Sequence, residues 1–125
     1  MFKKINPNPK GNFTDDCVVR ALCIALDKPW YEIFIDLCIQ GLIMARMPST
    51  NSVWNEYLKK KGWTRHLVPN DCPFCYTLRD FCGEFFKGTY IVGTGTHAIC
   101  VKQGSYFDTW DSGDEVPIWY WTKEE

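Results

Sequence analysis

The apolar residues of this chain recur at helical spacing in its first half and alternate in its second, and that change of period constrains the fold most. Within TDDCVVRALCIALDK, Val19, Leu22, Cys23 and Leu26 share one side of a helix that Thr14, Asp15 or Asp16 can cap. Pro29 closes that helix or opens the next, PWYEIFIDLCIQGL, where Trp30, Ile33, Phe34, Leu37 and Cys38 keep the period. A third helix is predicted from Ser49 or Thr50 through Val53, Trp54, Tyr57 and Leu58, with Gly62 as its stop. A short strand at WTRHLV and a helix at TLRDFCGEFF lead into the alternating runs TYIVGT, HAICVKQ, SYFDTW and VPIWYWT. Helices followed by strands predict an α+β fold with N-terminal helices packed on a C-terminal antiparallel β-sheet. Residues 1–13, MFKKINPNPKGNF, read as an extended arm, because Pro and Gly break any helix there.

A chain of 125 residues suffices for one core but not two, so residues 1–125 are expected to form a single domain. A net charge of −1 gives no long-range attraction to nucleic acid or to an anionic membrane, and neither is expected as a partner. The basic cluster Lys59, Lys60, Lys61, Arg65 and His66 reads as the solvated end of a helix. The basic N-terminus has no apolar segment behind it, and no apolar run is long enough to span a membrane. Seven cysteines without a secretory signal read as reduced thiols, which predicts a cytoplasmic protein.

The segment GTHAICVKQGSYFDTWDS carries the chemistry. A two-residue turn at Gln103-Gly104 would set Val101 opposite Tyr106, Ile99 opposite Asp108 and His97 opposite Trp110. His97 and Asp108 then become diagonal neighbours on one face, within reach of a hydrogen bond. A carboxylate accepting from one ring nitrogen fixes the histidine tautomer and leaves the other nitrogen free as a base. A three-residue turn would send the two side chains to opposite faces.

Cys17 falls in the first turn of the first predicted helix, where unpaired N–H groups and the helix dipole favour a thiolate. A neighbouring imidazolium would complete an activated nucleophile. The adjacent Asp15 and Asp16 act the other way, since nearby negative charge raises a thiol pKa. Cys23, Cys38 and Cys100 read as helix-face or strand residues.

The order of these residues resembles papain-like cysteine peptidases. DDCVVRALCIAL is similar to the nucleophile helix of the bacteriocin-processing, C39-like branch, THAICV to the histidine strand, and DTWDS to the segment carrying the third residue and a shielding indole. The resemblance implies a papain-like fold and a cofactor-free peptidase or amidase acting on a peptide or protein. Cys17 would be the nucleophile, His97 the general base and acid, Asp108 its orienting partner and Trp110 the shield. The family's oxyanion side chain is a Gln upstream of the Cys. Gly11 stands at that place with Asn12 next to it, and Asn12 takes the oxyanion role by resemblance.

Two other readings compete. One is a catalytically inert binding or inhibitor protein of bacterial or phage type on the same fold. The other is a zinc module built from His66, Cys72, Cys75 and Cys82, although a single C-x-x-C is a thin signature for it.

Overall fold

A computed structural model describes residues 1–68 and 76–123 of the chain. Cys72 and Cys75 lie outside the described residues. In chain order the elements are β1 (Phe2–Lys4), α1 (Cys17–Leu26), α2 (Trp30–Met44), α3 (Asn51–Lys60), β2 (Thr64–Leu67), α4 (Leu78–Glu84), β3 (Thr89–Gly93), β4 (Ala98–Lys102), β5 (Ser105–Asp108) and β6 (Trp119–Thr122). The architecture is α+β: among the described residues, four helices and a six-stranded sheet ordered β1-β5-β4-β3-β6-β2.

The sheet is not wholly antiparallel. β1, expected as part of an extended arm, pairs in parallel with β5, Phe2 opposite Tyr106 and Lys4 opposite Asp108. Its pairing could not be read from Phe2-Lys3-Lys4, because a three-residue edge strand has no period to detect. The other pairs, β5–β4, β4–β3, β3–β6 and β6–β2, are antiparallel.

Both faces of the sheet are covered, which explains the continuous burial of Ala98 to Val101 in β4. On one side Ile91, Cys100 and Trp121 pack with Leu22 of α1, Leu37 of α2 and Trp54 and Leu58 of α3. On the other, Val92, Ile99, Val101 and Tyr106 pack with Leu78, Phe81 and Cys82 of α4. Adjacent strand residues therefore serve opposite cores, the period of two in physical form.

α4 begins with a reciprocal capping box, Thr77 with Asp80, which orders its short length. The basic end of α3 is solvated in part, while Lys60 Nζ donates to Gln40 Oε1 at 2.9 Å. α2 carries apolar residues on its outer side as well, with Tyr31, Ile35, Ile39, Leu42 and Ile43 exposed. No helix among the described residues is long and apolar enough to cross a membrane.

The β4–β5 hairpin closes as the sequence requires. Gln103 and Gly104 both have positive φ, 51° and 76°, as a type I′ turn demands, and Val101 stands opposite Tyr106. The ladder ends at Cys100–Phe107, short of the expected pairing of His97 with Trp110. Asp108 accounts for the early end: its carboxylate accepts from Thr109 N–H at 2.8 Å and takes that donor from the β4 ladder, while its carbonyl stays paired with β1 through Ile5 N–H at 2.9 Å.

Candidate active site

Cys17 is the first residue of α1, and the helix start brings it against the beginning of β4. Its thiol lines the same cleft as His97 and Ala98, both near enough to act on its pKa. His97 Nε2 meets Asp108 Oδ2 at 2.5 Å, so Nδ1 is the ring nitrogen left for the thiol. The three residues singled out from sequence thus meet at one site, His97 bonded to Asp108 and Cys17 beside His97 on the cleft wall.

The electrostatics follow from that chain. Burial pushes the Cys17 thiol up, but hydrogen bonds from His97 and the Ala98 backbone, with the positive charges of His97 and Arg20, bring it below its ordinary value. Burial pulls His97 down, yet its hydrogen bonds to Asp108 and Cys17 and their negative charges carry it up to about 9. Asp108, raised by burial, ends below the ordinary carboxylate range because His97, Ser112 and the Thr109 amide all donate to it. These directions favour a thiolate beside an imidazolium.

Asp108 is held from several sides. Ser112 Oγ donates to Oδ2 at 2.7 Å, and Arg20 Nη2 approaches Oδ1 at 3.4 Å. Arg20, itself buried, also pairs through Nη1 with Asp16, whose other oxygen accepts from Trp30 Nε1 at 2.9 Å. The acidic pair before the cysteine therefore divides. Asp16 is paired with a guanidinium and buried, while Asp15 stays exposed.

Arg20 and Ser112 were not singled out from sequence. The i,i+4 spacing of Asp16 and Arg20 announces their pairing, but nothing local links Arg20 to Asp108 across 88 positions. Ser112 stands in DTWDS, four positions after Asp108, and only the turn following β5 points its hydroxyl back.

The site opens into a cleft of about 410 Å³. Trp110 forms part of its wall, with its ring centroid 5.3 Å from that of His97 and half of its surface exposed. Asn12 does not line the cleft. It is exposed, its N–H donates to Asn8 Oδ1 at 3.3 Å, and its carbonyl accepts from Asn6 Nδ2 at 3.1 Å. The asparagine on the cleft wall is Asn51 at the start of α3, whose Oδ1 accepts from Trp54 Nε1 at 3.0 Å.

Of the zinc candidates within the described residues, His66 lies on β2 stacked on Tyr120 and Cys82 is buried in α4. Among the described residues no group of three or more His, Cys, Asp or Glu is placed to hold a metal ion. No family model, curated protein or solved structure matches the chain.

Proposed function

We propose that the protein is a papain-like cysteine hydrolase that cleaves an amide bond in a peptide or protein. The observation that carries the reading is His97, which is bonded to the Asp108 carboxylate and shares a cleft with the Cys17 thiol at the start of a helix. The Cys17 sulfur attacks the substrate carbonyl carbon, and the backbone N–H groups at the start of α1 are suited to receive the negative oxygen. His97 passes its proton to the leaving amine as the C–N bond breaks, leaving a thioester on Cys17. It then removes a proton from water, which attacks the thioester and restores the thiol. Asp108 keeps the ring oriented through both steps.

Site-resolved alkylation by iodoacetamide across pH, read by mass spectrometry, tests this reading. Cys17 is expected to react faster than Cys38, the other partly exposed thiol among the described residues, and to stay reactive well below pH 8. In His97→Ala its pH dependence should move to that of an ordinary thiol. Equal behaviour of Cys17 and Cys38, unaffected by His97, would overturn the proposal. One observation favours a second reading, an inert binding or inhibitor protein on this fold: Asn12, the expected oxyanion side chain, is not among the residues that line the cleft. The two readings part on whether Cys17 accumulates an acyl group from activated esters and turns it over.

A further inference from the structure

The charges around the cleft do not balance. Arg20, the one basic side chain other than His97 on its wall among the described residues, is held between Asp16 and Asp108, so that group of three carries a net negative charge. Cys17 and His97 in their ionised forms cancel. Asp15 remains, an exposed carboxylate on the cleft wall, two residues before the nucleophile, with no ion pair or hydrogen bond to it among the described residues. The same cleft wall exposes two aromatic side chains, Phe13 at 78% and Trp110 at 49%. The other hydroxyl and amide side chains on the wall, Thr14, Ser49, Asn51, Thr96 and Thr109, are neutral.

An unpaired carboxylate on a wall that also exposes aromatic rings suits one chemical class of ligand, an organic cation whose charge meets the carboxylate and whose stem or face lies on the rings. We infer that the cleft takes a lysine or arginine side chain of its peptide substrate, with Asp15 as the charge partner and Phe13 and Trp110 as the apolar walls. The inference rests on the cysteine-hydrolase reading for the identity of the reacting thiol. An anionic substrate would have to approach the same uncompensated carboxylate and would be disfavoured.

Chloromethyl ketones of single amino acids probe this directly. The Cys17 sulfur attacks the methylene carbon, a C–S bond forms, the C–Cl bond breaks and chloride leaves. The probes are the N-acetylated lysine, norleucine and glutamate reagents, together with norleucine bearing a free amine. Rates of labelling at Cys17 are read by peptide mass spectrometry and divided by the acetyl-norleucine rate on the same variant, which cancels changes in thiolate fraction.

The lysine reagent is expected to exceed, and the glutamate reagent to fall below, the norleucine rate. Asp15→Asn should lower the lysine-to-glutamate ratio roughly three- to tenfold, the scale of one unit charge near a protein surface. Asp27→Asn, at the far end of α1, makes the same charge change and should leave the ratio in place. Equal rates for the acetylated reagents, or a ratio insensitive to Asp15→Asn, overturn the inference. So does fast labelling by the free amine alone, which would assign the cation to a peptide N-terminus. If acetyl-norleucine labels Cys17 no faster than Cys38, the hydrolase reading fails instead, while the lysine-to-glutamate ratio still reports the charge preference of the cleft.

Discussion

Asp108 accepts from an imidazole, a hydroxyl and an amide and faces a guanidinium, and its substitutions separate charge from orientation. Asp108→Asn keeps an acceptor oxygen for His97 but removes the negative charge that raises its pKa. The alkaline limb of the rate–pH profile for Cys17 alkylation, set by His97 near 9, should therefore move to lower pH. Asp108→Ala loses the acceptor as well, and turnover should fall on the order of a hundredfold or more. Arg20→Gln would leave Asp16 buried without its cation, and urea denaturation should show a loss of about 3–5 kcal/mol. At this scale the sequence was partly legible. Alternation in a hairpin was enough to join His97 to Asp108. The Arg20 contact to Asp108 was not, because it joins a helix and a strand whose relative placement only the packed core decides.

The hairpin is the element on which the site depends most. Its two-residue turn was readable from Gln103-Gly104, and the register follows from it. Inserting one glycine between those residues should therefore disrupt the site without unfolding the helices. The extra residue shifts β5 by one position, turning Asp108 away from His97. Cys17 should then titrate as an ordinary thiol while far-ultraviolet circular dichroism keeps its helical signal. The helices were legible for the same local reason, a sustained period with Pro29 and Gly62 as punctuation. The parallel pairing of β1 was not, because edge pairing depends on which strand is left open rather than on the pairing residues.

For the whole molecule, the acid side of the stability curve isolates one of these groups. The folded pKa of Asp108 lies below its ordinary value of 3.8, so its contribution is fully present above that pH and is lost as pH falls through the folded pKa. His97 is protonated in folded and unfolded chains throughout that range and adds nothing to the slope. Urea midpoints measured below pH 4 should therefore fall less steeply in Asp108→Asn than in the parent protein. Fold class was legible at this scale from the change of period alone. That the sheet is covered on both faces was not, because a short helix such as α4 does not announce which side it will take.

The N-terminal arm has a practical consequence for anyone preparing the protein. The Met1 ammonium donates to Gly104 O at 3.0 Å and its carbonyl accepts from Tyr106 N–H at 3.1 Å, so the arm is fastened along the hairpin. A few residues on, Ile5 holds the carbonyl of Asp108, and Phe13 to Asp15 then reach the cleft. Handling that loosens residues 1–5, proteolytic trimming included, draws on the same strand that braces Asp108.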